Sequence, residues 1–392
     1  MMTNQTESPL GELLEDINNT HTKAYIPVII FVILVTVVGF TGNSLVFIFS
    51  SKKATKSSFH FFISAISLND IFVNLNLIPH LFALFQYINF TDIIFCMVYY
   101  FFMHWFVVNS LLLIVAISLD RFRRVVYPFA RQITVKMAQN IVVGTTLFSL
   151  SISVHYFYTC RIEHLHFLKG HNQTVIGYFC ALSEEYPQAI VKKVFHITDI
   201  CLHVTIIGFL IISYIIIVRK LYSSRLNVRS KIDLSAHGKK LQDGSSKMAT
   251  VDYPIDEVDV KYSSDETKNQ ERVNSSFKFE LTSELKPPDS NIAVRRKGVS
   301  FGLSETERTF SLIVFVISVA SIVSFVPYYV NMLVGEPNLD GKSLVYSVAN
   351  MMSRRSYMLN STVNPFIMLY FNSSFRKFVV NIWCCLGPKS RR

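Results

Sequence analysis

Long apolar runs alternate with short polar segments along this chain, and the run ending at Asp120 sets the scale. From Phe95 to Leu119 no side chain carries a charge; Asp120, Arg121, Phe122, Arg123 and Arg124 then follow in succession. A helix rises about 1.5 Å per residue, so Cys96 to Arg121 covers roughly 37 Å. That exceeds the ~30 Å hydrocarbon core of a bilayer. Six further runs of spanning length lie at about Ala24–Ser50, Phe59–Phe85, Met137–Tyr158, Ile190–Tyr222, Glu305–Val334 and Lys342–Phe371. The pattern predicts an all-α membrane protein, a bundle of seven transmembrane helices. A short amphipathic eighth helix follows from Asn372, where Phe375, Phe378, Val379 and Ile382 alternate at helical spacing with Arg376 and Lys377.

The segments between and beyond the spans complete the organisation. Residues 1–23 are polar and acidic and read as an outer tail. Residues 24–222 hold spans one to five. Residues 223–304 turn abruptly to Ser, Lys, Asp and Glu and read as a disordered loop. Residues 305–371 hold spans six and seven, and 372–392 the amphipathic helix and tail. No cleavable leader pattern precedes span one, which is expected to serve as its own insertion signal. The absence of an internal repeat argues against a transporter built from inverted halves.

Composition agrees with this picture: 51% of the 392 residues are hydrophobic and 14% aromatic. A net charge of +11 raises the question of nucleic acid, but the position of the charge answers it. Lys52, Lys53 and Lys56, then Arg123, Arg124, Arg131 and Lys136, then Arg376, Lys377, Lys389, Arg391 and Arg392 all fall on one predicted side. They read as topology determinants facing anionic lipid. The N-terminus is therefore expected outside the plasma membrane and the C-terminus in the cytoplasm, with no nucleic-acid partner. Sequons at Asn4, Asn18, Asn89 and Asn172 all fall on the outer side as glycosylation candidates. Cys384 and Cys385, beside the amphipathic helix, are palmitoylation candidates. No nucleophile–base pair or zinc-type cysteine spacing points to an enzyme.

Several motifs at the ends of these spans resemble those of the rhodopsin-like (class A) G-protein-coupled receptors. Asp120-Arg121-Phe122 resembles the Asp-Arg-Tyr triplet that ends the third helix. Asn360-Ser361-Thr362-Val363-Asn364-Pro365 resembles the signature of the seventh. The resemblance implies that Arg121 docks a heterotrimeric G protein once the helices part, and that at rest it pairs with Asp120 and Glu307. That pair is expected at the solvent edge, worth about 1 kcal/mol. By the same resemblance Tyr214 on span five helps hold the active state, and span six swings about Pro327 with Phe325 as its aromatic switch. A disulfide Cys96–Cys180 is implied. Asp70, a carboxylate inside an apolar span, resembles the acid of the family's allosteric sodium site, with Ser110, Asn360, Ser361 and Asn364 in support and Asn43 nearby. No other cofactor is expected. Departures are visible: Phe122 and Met368 replace expected tyrosines, Phe325 an expected tryptophan, span four has no tryptophan, and span five has Ile206 in place of its usual proline.

The resemblance also narrows the ligand. An amine receptor of this family carries an aspartate where this chain has Met103, and an opsin a lysine where it has Met358. What stands out instead is Arg354-Arg355 in the outer half of span seven. At least one should face the bundle, where it needs an anionic partner, either Asp199 or a ligand carboxylate. Met103, His104, Tyr328, Tyr329, Arg354 and Arg355 are the expected ligand-binding residues. The expected ligand is a peptide or other molecule with an acidic group. The rival readings are a non-signalling seven-helix decoy or dimerisation partner and, further off, a transporter or channel.

Overall fold

The computed structural model describes residues 9–86, 89–169, 173–183, 185–244, 305–334 and 344–386. The chain divides into two units, Met1–Ser223 with Leu303–Arg392, and Ser224–Gly302. The first unit holds α1 (Pro9–Ala24), α2 (Ile26–Ala54), α3 (Ser58–Phe85), α4 (Ile93–Val126), α5 (Val135–Ser153) and the single turn α6 (Tyr156–Thr159). After β1 (Cys160–Lys169) and β2 (Gln173–Leu182) come α7 (Gln188–Gly244), α8 (Glu305–Val334), α9 (Leu344–Ser353), a 3-10 turn (Ser356–Met358), α10 (Leu359–Phe371) and α11 (Ser373–Leu386). Of the second unit only the end of α7 is described: the backbone stays helical to Gly244, beyond the expected boundary at 222.

Six helices among the described residues are long and apolar enough to cross a membrane: Ile26–Ala54, Ser58–Phe85, Ile93–Val126, Val135–Thr159, Gln188–Lys220 and Glu305–Leu333. The seventh span, expected as one helix, is built in two pieces. α9 and α10 are each too short to cross alone, about 15 and 20 Å by their residue count. The break falls at Arg354 and Arg355. Arg355 leaves helical geometry (φ −106°, ψ 4°). Its guanidinium turns back to the Met351 carbonyl at 2.9 Å, so the broken turn is satisfied from within.

Local sequence explains the element ends. Asp92 caps α4, its side chain accepting from the backbone N–H of Ile94 and Phe95, and Thr134 caps α5 by accepting from Met137. Gly42 allows α2 to approach α10: a Cβ there would lie 2.8 Å from the Pro365 ring. The core along one half of the bundle is aliphatic and aromatic, with Phe62, Ile66, Leu113, Ile114, Ile117, Ile313 and Ile317 buried.

Two features were not expected. The N-terminal segment, read as a polar tail, is helical from Pro9: Leu13, Leu14 and Ile17 form a half-buried stripe, while Glu12, Glu15 and Asp16 stay exposed. A helix this short needs a docking surface to persist, and Asn18 ties it down by donating to the Phe85 carbonyl at 2.9 Å. The segment after span four forms an antiparallel hairpin with Cys160 opposite Leu182 and Lys169 opposite Gln173. The Cys96–Cys180 disulfide, Cα atoms 5.7 Å apart, staples this hairpin to the start of α4.

Candidate functional site

At the end of α4 away from the disulfide, four side chains converge on Arg121. The residue is only 1% exposed. Its Nε donates to Asp120 Oδ2 at 3.0 Å and its Nη2 donates to the same oxygen. Its Nη1 donates to Glu307 Oε2 at 2.5 Å. Asp120 is wholly buried; its Oδ1 accepts from Ser58 at 2.9 Å, and Ser58 in turn accepts from Arg124 at 2.8 Å. The rings of Phe59 and Phe310 stack at 3.9 Å, and the guanidinium carbon lies 5.2 and 5.9 Å from their centroids. The expected contacts of Arg121 with Asp120 and Glu307 are made, but not at the solvent edge. The arginine side is enclosed by two aromatic rings, and Glu307, at 32%, meets solvent together with Arg124, at 26%. Its worth therefore lies between the ~1 kcal/mol of an exposed pair and the roughly 3–5 kcal/mol of breaking a buried one.

Deeper in the bundle, Asp70 is fully buried. Oδ1 accepts from Ser110 at 3.0 Å and Oδ2 from Asn364 Nδ2 at 2.7 Å. Asn360 extends the chain, donating to Ser110 at 3.3 Å and accepting from Ser321 on α8 at 2.5 Å. Asn43 donates to the Ser361 carbonyl at 2.6 Å, but the Ser361 hydroxyl turns back to Met358. Ser361 therefore braces the site through its backbone and does not present its hydroxyl to Asp70. The side chains that hydrogen-bond Asp70, Ser110 and Asn364, are neutral. The carboxamide oxygens of Asn43, Asn74, Asn109 and Asn364 are buried without a hydrogen-bond partner. A buried carboxylate with neutral partners, one of them Asn364 with its own carboxamide oxygen unsatisfied, suits a small hard cation, which takes oxygen ligands. Among the described residues no cluster of three or more His, Cys, Asp or Glu forms a metal site, so any ion here would be held by hydroxyl and amide oxygens with one carboxylate.

Towards the disulfide end, the expected ligand-binding residues divide into separate contacts. Arg355 Nε donates to His80 Nε2 at 2.8 Å. An arginine can only donate, so His80 Nε2 accepts, and its Nδ1 carries the proton to the Tyr99 hydroxyl at 2.7 Å. Asp199, offered by the sequence as a partner for the arginines, meets His104 Nε2 at 3.2 Å instead. The other nitrogen of His104 lies 2.8 Å from Ser153, whose own hydroxyl is donated to Ser149. Both ring nitrogens of His104 thus face acceptors. Tyr328 and Tyr329 form an aromatic wall with Tyr357 and His203, at centroid distances of 5.2 and 4.7 Å. Met103 is buried in the core beside Met358 and Tyr99.

A model of the 7 transmembrane receptor (rhodopsin family) matches residues 42–368, most of the chain. The chain belongs to this family. A search of curated proteins finds none that matches. As a rhodopsin-family receptor it is a multi-pass membrane protein with a seven-helix bundle, its seventh helix the broken α9–α10 pair.

Within the family frame, the departures noted in the sequence are compensated from unexpected places. Tyr214 is 6% exposed, and its hydroxyl lies 3.2 Å from Ser118 and 3.4 Å from Ser318, joining α7 to α4 and α8 with no residue of α10 involved. Met368 fills its place as an apolar core residue, while Tyr370 is 74% exposed. Trp105 of α4 donates to the Thr146 carbonyl of α5 at 3.2 Å, so the indole contact between these helices comes from the opposite partner. Phe325 stacks among His203, Tyr329 and Tyr357. Phe122 is half-buried against Tyr127.

Sequence reasoning missed Ser58, Ser118, Ser318, Ser321 and Tyr99. A signal was available on α8: Glu307, Ser311, Ser318, Ser321 and Phe325 fall at helical spacing and make one stripe of buried or half-buried residues. Of the proposed modification sites, Asn4 and Asn172 lie outside the described residues. Asn18 has its amide nitrogen engaged with Phe85. Asn89 is half-buried with its Oδ1 enclosed. Cys384 is exposed on α11, and Cys385 follows it on the same helix.

Proposed function

We propose that this receptor binds an extracellular ligand bearing an acidic group, a peptide with an acidic side chain or free C-terminus being the best fit, and answers by activating a heterotrimeric G protein. The carrying observation is the enclosed Arg121 lock: a cation tied to Asp120, Glu307 and two aromatic rings is released only if α8 moves away from α4. Pro327 gives α8 a place to bend, because it removes the donor for the Val323 carbonyl. On this reading the Arg121 end faces the cytoplasm of a plasma-membrane receptor and the hairpin faces outside.

The acidic ligand rests on Arg355. Its hydrogen-bond partners are His80 and Met351, both neutral acceptors, and none of the ion pairs among the described residues includes it. A carboxylate arriving from outside would supply the missing counter-charge, with bidentate geometry available at the guanidinium. A sodium ion at Asp70, held with Ser110, Asn360 and Asn364, would favour the closed bundle as an allosteric ligand. The test is a screen of pooled peptides for displacement or nucleotide exchange, repeated with Arg354→Ala and Arg355→Ala. Loss of response to the active pool in at least one variant supports the reading, and unchanged affinity in both refutes it.

A further inference from the structure

A groove of about 450 Å³ lies between α7 and α8 at the Arg121 half of the bundle. Its walls are Leu210, Ile211, Ile215, Val218, Phe315 and Val319, with Tyr214 and Ser318 at its floor and Arg219 at its inner end. The two floor hydroxyls are already turned to one another and to Ser118, so they offer little to a polar guest. Ile211, Ile215, Val218, Phe315 and Val319 are exposed, and the groove opens sideways, away from the bundle axis. In a membrane receptor that side is lipid.

The charge at the inner end makes the groove more than a gap for tails. Among the described residues Arg219 is the only charged one lining it. On the facing helix, Arg308 stands seven residues before Phe315 and fourteen before Ile322, which puts it on the same α8 stripe, two turns nearer the Arg121 end. The Nε of Arg308 is buried without a hydrogen-bond partner. An apolar slot thus runs up to two guanidiniums, one of them with a buried donor unsatisfied. Ile211 to Arg219 spans about 12 Å of helix, the length of the upper part of one acyl chain.

We infer that this groove is a binding site for one anionic phospholipid of the adjacent leaflet, an acyl chain lying between α7 and α8 and the headgroup phosphate held by Arg219 and Arg308. The site lies in lipid contact, remote from the Asp70 network and from Arg354 and Arg355. Phosphate matches paired guanidiniums through charge-assisted hydrogen bonds. The chain adds van der Waals packing along the slot. Phosphatidylcholine carries the same phosphate beside a quaternary ammonium that the guanidiniums repel, so this zwitterionic lipid should enter the slot without being retained.

The test is native mass spectrometry of the full receptor released from nanodiscs of phosphatidylcholine alone or with phosphatidylserine. The wild-type chain should keep one phosphatidylserine at detergent concentrations that strip phosphatidylcholine. Arg219→Gln with Arg308→Gln should lower that retention at least fivefold, and Ile215→Trp, which fills the slot, should do the same. Arg219→Lys should keep most of it. Thermal unfolding of each variant separates a folding defect from loss of the site, and Ile215→Trp carries the test if the glutamine pair unfolds. Equal retention of both lipids by the wild type, or of phosphatidylserine by every folded variant, would overturn the inference, as would retention of a free fatty acid in place of the phospholipid. None of these readouts depends on G-protein coupling or on the receptor's extracellular ligand.

Discussion

Arg121 on α4 and Glu307 on α8 meet at 2.5 Å, with the guanidinium 1% exposed and the carboxylate 32%. The asymmetry gives the pair its use. The arginine is held on one side by Asp120, its neighbour on α4, and on the other by Glu307, which belongs to the helix that the proposed activation moves. Breaking the contact exposes a cation that already has one partner, so opening costs less than stripping a buried charge bare. A gap of a few kcal/mol leaves the open form populated at roughly 0.1–10%, a range a ligand can reverse.

Ser58 underpins this arrangement by donating to Asp120 Oδ1 and accepting from Arg124. Ser58→Ala leaves a buried carboxylate oxygen without its donor, at a cost of about 1–3 kcal/mol. Thermal unfolding of the purified receptor should show a midpoint lower by several degrees. An unchanged midpoint would mean that water replaces the hydroxyl without loss.

Tyr214 ties α7 to Ser118 and Ser318 in the closed bundle. Removing that hydroxyl costs this arrangement about 1 kcal/mol. Tyr214→Phe should therefore raise unstimulated nucleotide exchange several-fold at equal surface expression. A fall would show that the hydroxyl matters more to the open state than to this one.

The Asp70 site makes a salt-specific prediction. Replacing potassium chloride by sodium chloride at equal ionic strength should raise the unfolding midpoint of the wild type, because an ion that binds only the folded state stabilises it by mass action. Asp70→Asn should abolish the difference. The same shift in both chains would assign the effect to general salt.

Cys160 sits at the start of β1, wholly buried, and burial pushes its thiol up to about 12. A raised thiol pKa lowers the thiolate fraction, which is the reactive form, by about a thousandfold at pH 8 relative to an ordinary cysteine. Maleimide labelling of the folded receptor in detergent should modify exposed Cys384 and leave Cys160 untouched until unfolding. Comparable labelling rates at the two would contradict the packing around the hairpin.

The extent of the bundle was legible because apolar runs of spanning length have few other uses. The Arg121–Glu307 pairing and the Asp70–Ser110–Asn364 contact were legible only through the resemblance of their motifs to those of the rhodopsin-like receptors. What stayed hidden depends on contacts between distant segments. The hairpin depends on the pairing of Cys160–Lys169 with Gln173–Leu182, and α1 on the Phe85 carbonyl for Asn18. The break at Arg354–Arg355 was hidden by the hydrophobicity of its flanks; only the meeting of Arg355 with His80, 275 positions away, gives it a reason. Burial of Arg121 was misjudged because charge clusters at a span end suggest solvent. The cover comes from Phe59 and Phe310 on two other helices.

The central claim is that Glu307 holds Arg121 back from a G protein. The direct measurement is GTPγS exchange without added ligand, on membranes with matched receptor levels and a panel of G proteins, comparing wild type, Glu307→Ala, Arg121→Ala and the double variant. The expected result is exchange raised at least threefold by Glu307→Ala and returned to the background of untransfected membranes by adding Arg121→Ala. Exchange that Glu307→Ala leaves at background with every G protein, or that survives the loss of Arg121, would contradict it.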